Sequence, residues 1–550
     1  MRNSILTPIT LWQNFNDSLP LKEVTIKSML IGNADFNYVY FSGRKTESGR
    51  VRIYGLYAKQ KGESKGSILI LPDYKDTIDT EIVVHFSNLG FDVLCVDYYG
   101  ENKNLSDFTK YPEDVSYANY EKCEKSFNFI EKTAKETCWY EWTAVARYGV
   151  SFLKSKNPKS KVGVLGIKHG ANVLWQLSAM DKRVDASIFL YGAGWLAYKN
   201  TFKLIGNNIE IDDERTKFLA GIDSQAYAQF VECPVLYLTS TNSEEFDSDR
   251  AIDTILRLNN KDSYINFITN SKSILDLHAL NDCEIFFKKY ISGEKTTLGQ
   301  PKIEIDVDGE DVIFNVSATK KADITSVHVF SSFNDVNPKD RIWYNVLDYT
   351  QNKSGTYKFK QRVFGECETI IAFTVVKYKN GFTVSSNYAY KKVNLKTSSS
   401  VPSLLFSSAK MPSNFTVENV NSKLLGNVFT LDRLYKLEKG PCDIYGISSE
   451  NTLTTYAVRK FADKLNSDSF IKFDVYFKTN DTLIVSLKNA ANNEYFYKLK
   501  VEGDDSWQNI QLTLADFKNS LGQPIKNLND VVSLSISALG TFMVNNFILI

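Results

Sequence analysis

No stretch of about 20 consecutive apolar residues occurs in this 550-residue chain, so nothing in it reads as a membrane-spanning helix. An excess of either charge is missing too: 65 Lys and Arg stand against 64 Asp and Glu, a net charge of +1. That balance excludes a chain-wide basic surface, so neither nucleic acid nor an anionic membrane is an expected partner. Histidine is scarce, at four residues, and the seven cysteines (95, 123, 138, 233, 283, 367 and 442) form no CxxC. None pairs with histidine at zinc-ligand spacing, which argues against a zinc site or a disulfide framework. Several thiols lie in apolar runs, where they act as small hydrophobes, a usage suited to a reducing compartment. Met1 to Leu30 has no basic segment leading into an apolar one, so the expected location is cytoplasmic, or secreted if a precursor segment is removed. GxxxxGK[ST] and HExxH are both absent, and no cofactor or metal is expected.

What is present is an ordinary globular composition, 43% hydrophobic and 23% charged, long enough for about three to four domains at roughly 150 residues each. Aromatics are abundant, with 30 Tyr and 35 Phe, which favours strand-rich domains.

From Lys22 to Asp185 and on to Ile291, short apolar runs alternate with helical periodicity. SILIL (Ser67–Leu71), FDVLCV (Phe91–Val96) and KVGVL (Lys161–Leu165) are continuous enough to be strands buried on both faces. Trp139–Lys156, Ala171–Met180 and Asp282–Ile291 have helical spacing. Such interleaving predicts a mostly parallel sheet with helices on both faces over residues 1–295. Between 300 and 396 about seven short strands and no helix are expected, punctuated by Asp308-Gly309 and Asn380-Gly381, the pattern of an immunoglobulin-like sandwich without its Cys…Trp…Cys spacing. A Ser-rich linker, Lys396–Pro402, precedes a second strand-rich region, 401–550, expected to be a jelly-roll sandwich.

The most informative stretch is KVGVLGIKHGANVLWQL, Lys161 to Leu177. It is a buried strand, then Gly166-Ile167-Lys168-His169-Gly170, then a helix, the context of a nucleophile elbow, G-x-Nuc-x-G. With LWQNFNDSLPLKEV, ILILPDY and YEWTAVARYGVSFLKS, this stretch resembles the α/β-hydrolase superfamily over roughly Leu11 to Ser292. The likeness is to dienelactone-hydrolase and acetyl-xylan-esterase-type esterases, and it implies an α/β hydrolase fold followed by the two sandwiches.

The resemblance implies three triad positions. Lys168 stands where active relatives carry Ser or Cys, and a lysine has no hydroxyl for a histidine to deprotonate. Ser243, in Thr241-Asn242-Ser243-Glu244-Glu245-Phe246-Asp247, stands where the acid belongs; Glu244, Glu245 or Asp247 are substitute acids, or the run is a solvated loop. His278, between the last strand and the last helix, stands at the general base. Asp73 and Tyr74 fall in the oxyanion-hole loop, where a carboxylate opposes a developing oxyanion. His169 is expected to contribute its backbone amide rather than its ring. Lys168 is expected to pair with Asp73 or an acid in 244–247, tying up the cleft.

Other signals are weaker. Ser151-Phe152-Leu153-Lys154 matches S-x-x-K inside a predicted helix, and Asp306–Asp311 is read as a hairpin turn rather than a calcium loop. Asp505–Phe517 (DSWQNIQLTLADF) resembles a segment of carbohydrate-binding, galactose-binding-like jelly rolls, with Trp507 and Phe517 as end packing. Asp340-Arg341-Ile342-Trp343 resembles the immunoglobulin-like module of some such esterases, with Arg341 and Trp343 either sugar-facing or an edge contact. The leading expectation is an esterase-derived protein with a degenerate triad that no longer hydrolyses esters. It would serve as a binding or scaffold component in a carbohydrate context, its partner a glycan or another protein. The alternatives are an active carbohydrate esterase or related hydrolase using non-standard residues, such as His278 with water and Glu244 or Asp247, and a structural or assembly protein.

Overall fold

The computed structural model describes residues 5–18, 20–74, 76, 78, 80–123, 127–198, 212–272, 275–352, 355–397, 404–407, 413–418, 420–424, 427–430, 434–526 and 528–549. The chain divides into two compact units: residues 1–267, 279–297 and 423–428, and residues 268–278, 298–422 and 429–550.

The first unit is built on nine strands: β1 (Val24–Ile31), β2 (Ala34–Lys45), β3 (Arg50–Gln60), β4 (Ser67–Leu71), β5 (Asp92–Asp97), β6 (Val162–Ile167), β7 (Ala186–Leu190), β8 (Val235–Ser240) and β9 (Ser263–Ile268). They lie in the order β1-β2-β3-β5-β4-β6-β7-β8-β9. The first three are antiparallel, and β3 runs antiparallel to β5. From β5 through β8 the pairing is parallel. Every residue of β4 to β8 is buried, as their unbroken apolar runs require.

Helices α1 (Thr80–Asn88), α2 (Cys138–Lys156), α3 (His169–Met180), α4 (Ser248–Ile255) and α5 (Leu277–Tyr290) carry the main crossovers. Thr137 caps α2 by accepting from the Tyr140 amide at 3.2 Å. That helix buries Trp139 and Trp142 almost completely. Two glycines of β6 show that both sheet faces are covered. A Cβ on Gly163 would lie 2.7 Å from Phe287 of α5, whereas one on Gly166 would lie 2.7 Å from Ala171 of α3. A parallel sheet clothed on both sides, with a strand–turn–helix at its centre, is the α/β-hydrolase architecture. Ser151 lies within α2, its hydroxyl donating to the Arg147 carbonyl at 3.2 Å and accepting from Arg183 at 2.9 Å.

The second unit is β-rich. One sheet orders Pro301–Asp308, Asp311–Ala318, Tyr357–Arg362 and Tyr349–Gln351. Strands Ile324–Phe333, Glu366–Tyr378 and Ala389–Lys396 complete a common core, in which Val312, Phe314 and Phe359 meet Val329, Ile370 and Ala372. The Asp306–Asp311 segment is a hairpin turn, with Gly309 at φ 62° and Asp308 opposite Asp311.

Two more sheets, which also take in Leu404–Phe406 and Thr416–Glu418, enclose a core containing Phe473, Val475, Leu483, Val485, Leu534 and Val544. Ile342 belongs to that same core, and Asn345 exchanges backbone hydrogen bonds with Ser413 at 2.7 and 3.0 Å. Trp507 is half-buried, donating Nε1–H to the Pro441 carbonyl at 3.1 Å, while Phe517 is fully buried.

Three expectations are corrected. Only Tyr344–Asn345 of the expected 342–347 strand pairs in a ladder, because Ile342 and Trp343 turn into cores. Arg341 and Trp343 are both 0% exposed, so neither faces a sugar. The last helix begins at Leu277 rather than Asp282. Of the expected linker Lys396–Pro402, residues 398–402 lie outside the described residues. Among the described residues no helix is long and apolar enough to cross a membrane.

Candidate functional site

Strand β6 delivers the chain to Lys168, which caps α3 at φ 49°, ψ −111°. A positive φ on a non-glycine residue is strained, and strain of this kind gathers at functional turns. The turn is held by the Lys168 amide donating to the Leu190 carbonyl at 2.7 Å, and by the Lys168 carbonyl accepting from Ala171 at 3.0 Å. Gly170 has no room for a side chain: a Cβ there would lie 2.3 Å from the Leu71 carbonyl oxygen and 2.4 Å from that of Pro72. This contact explains the G-x-K-x-G spacing. It presses the start of α3 onto the loop that follows β4.

That loop carries Asp73, 4% exposed. Its Oδ1 lies 2.9 Å from His169 Nδ1 and accepts from the backbone amides of Tyr74 at 2.9 Å and His169 at 3.3 Å. Its Oδ2 lies 3.9 Å from Lys168 Nζ. Burial pushes the Asp73 carboxyl up, but the hydrogen bond and charge of His169, with the Lys168 ammonium, outweigh it and leave it below the ordinary carboxylate range. The other ring nitrogen of His169, Nε2, lies 3.5 Å from Glu245 Oε1. Tyr74 meets the imidazole edge-on at 4.6 Å, Phe127 stacks on it at 5.3 Å, and Phe246 closes in at 5.4 Å.

The structure therefore brings Lys168, Asp73, His169, Tyr74 and Glu245 together. The expected pairing of Lys168 with Asp73 is present. The ring of His169, expected to be idle, is engaged on both nitrogens.

The run 241–247 is not a solvated loop: Ser243, Phe246 and Asp247 are buried and Glu244 alone is exposed. Ser243 Oγ accepts from the Phe246 amide at 3.2 Å. Asp247 caps α4 through the Arg250 amide at 3.1 Å and pairs with the Arg250 guanidinium at 2.9 Å, so it is committed to structure. His278 lies in the first turn of α5 rather than in a loop before it, and groups with the second unit. There its Nε2 is 3.3 Å from Lys377 Nζ.

Phe127, Trp139 and Phe246 were not legible as site residues. They converge on one imidazole from a loop, a helix and the segment after β8, and no local pattern marks such a meeting.

In the elbow arrangement, the backbone N–H of the residue after the apex is half of the oxyanion hole. Here that amide, His169 N–H, points at a carboxylate, and the apex bears an ammonium. Among the described residues no cluster of His, Cys, Asp and Glu has the arrangement of a metal site.

No family model matches the chain, and no curated protein matches it in sequence. Solved structures similar to it include an acetyl xylan esterase from Paenibacillus sp. R4, 13% identical with a TM-score of 0.39, over 50% of this chain and 90% of that one. Acetyl xylan esterase 1 from Thermoanaerobacterium sp. JW/SL YS485 is 14% identical with a TM-score of 0.37, over 50% and 89%. A cold-adapted esterase from an Arctic intertidal metagenomic library is 14% identical with a TM-score of 0.34, over 48% and 98%. At these values the fold assignment stands on the strand order and the elbow described above.

Proposed function

We propose that the first unit is an esterase-derived α/β-hydrolase fold that does not hydrolyse esters, and that the protein acts as a binding or scaffold component in a carbohydrate context. The observation that carries this reading is the Asp73 carboxylate on the His169 amide, beside a lysine at the elbow apex. Acyl transfer by the family's route needs an alcohol or thiol at that apex, a base to take its proton and an unoccupied oxyanion amide. In the same reading, residues 300–396 form an immunoglobulin-like sandwich and 401–550 a jelly roll. The carbohydrate context rests on the resemblance of Asp505–Phe517 to carbohydrate-binding jelly rolls. The seven free thiols support a cytoplasmic location.

The test is hydrolysis of short-chain aryl esters and acetylated xylan by the purified full-length protein. The expected result is no release of product above the uncatalysed rate. Turnover abolished by His169→Ala, Glu245→Ala or His278→Ala would replace this reading with a hydrolase that uses non-standard residues. A solution mass of twice 62.5 kDa or a higher multiple would favour an assembly role.

A further inference from the structure

We propose that the outward face of the four-stranded sheet in the second unit is the carbohydrate site, and that it takes an extended, hydroxyl-rich polysaccharide chain laid across the strands. The proposal rests on the carbohydrate-binding reading above and gives it a location. In this sheet Glu304, Asn315, Lys358 and Thr350 fall in register, one on each of four neighbouring strands, with Lys302 and Ser317 paired in a second row. They alternate with Ile303, Phe314, Val316 and Phe359, whose side chains are buried, so the six project to the opposite, solvent side. They line a depression of about 360 Å³.

The size is that of a small-ligand site, and the lining mixes polar heads with a somewhat larger share of apolar surface, as a sugar mixes hydroxyls with apolar C–H faces. Amide, hydroxyl, ammonium and carboxylate heads together offer both donors and acceptors. A run of sugar hydroxyls presents the same mixture, and such groups leave water without penalty only when equally polar partners replace it. Neighbouring strands are spaced about 4.8 Å apart, close to the length of one sugar unit, so successive units of an extended chain meet successive strands. Lys302 and Lys358 stand against Glu304 and Asp306, the last accepting from Asn315 Nδ2 at 2.9 Å, so these residues carry no net charge and favour neither neutral nor acidic chains.

The experiment is calorimetric titration of the full-length protein with soluble xylan and β-glucan, both neutral, and with polygalacturonate, which is acidic. At least one chain should bind, and Asn315→Ala combined with Lys358→Ala should weaken it by about tenfold or more. Lys439→Ala, on a separate sheet of the same unit, should leave affinity unchanged. A loss confined to polygalacturonate assigns the site to acidic chains; a loss with xylan or β-glucan assigns it to neutral ones. Undiminished binding by the double variant overturns the site while the carbohydrate reading stands. No binding of any chain by the unaltered protein overturns both.

Discussion

Asp73 Oδ1 lies 3.3 Å from the backbone nitrogen of His169, the amide beside the apex of the elbow. One side chain thereby does three things: it accepts from this amide, holds the imidazole at 2.9 Å and faces the Lys168 ammonium. Asp73→Ala leaves a buried amide and ring nitrogen without an acceptor, a loss of about 2–3 kcal/mol. Asp73→Asn keeps one acceptor oxygen and should cost about half as much. Urea unfolding of the two variants at neutral pH measures the difference.

Gly170→Ala drives a methyl group against two backbone carbonyl oxygens, at 2.3 and 2.4 Å, neither of which can swing aside as a side chain would. The expected destabilisation is about 3 kcal/mol or more, the upper end of overpacking. Gly62→Ala is the control, since a Cβ there meets nothing within 4 Å. Its unfolding free energy should stay within about 0.5 kcal/mol of the parent's.

Asp97 and Asp223 contribute to the pH dependence of stability, in the same direction as the buried Asp92 and Glu141. Each of the first two is fully buried, and burial outweighs the backbone amides it accepts from, pushing its carboxyl up to about 7 from 3.8. A carboxyl raised in the folded state binds its proton more tightly there than when unfolded. Its contribution is therefore complete below about pH 3.8 and lost as pH rises to about 7. Asp73, depressed, works the other way: its contribution is present above the ordinary carboxylate range and fades as pH falls through its folded value. Denaturant midpoints should thus decline between pH 5 and pH 7, and Asp97→Asn should flatten that slope.

Ile342 is 3% exposed and packs in the core of the C-terminal sheets. Ile342→Ala removes buried methyl groups and leaves a cavity, which costs about 2–4 kcal/mol. The C-terminal sheets should report that loss in hydrogen exchange, although the substitution lies upstream of them.

The sequence made the sheet of the first unit legible because SILIL, FDVLCV and KVGVL have no polar face to mislead, and the elbow because its two glycines leave few other readings. The start of α5 was not legible: Asp276 directly before Leu277 is an N-cap residue type, but Asn281 and Asp282 offer the same signal a turn later, and the local sequence does not choose between them. Residues 342–347 alternate like a strand, but their side chains are shared between two cores, a tertiary choice that no periodicity records. The partners of His169 were hidden for the same reason. Asp73 and Glu245 stand 96 and 76 residues from it in the chain and meet only once β4, β6, β7 and β8 are laid in one sheet.

The segment around Ile342 also has a consequence for how such a chain could be cut and rejoined. A recombination break between the middle strands and the C-terminal sheets would strip this isoleucine of its socket on one side and open a hole on the other. It would also sever the Asn345–Ser413 bridge and the Lys460–Asp335 pair at 3.3 Å. The two sheet pairs are therefore one packed body rather than two beads on a string.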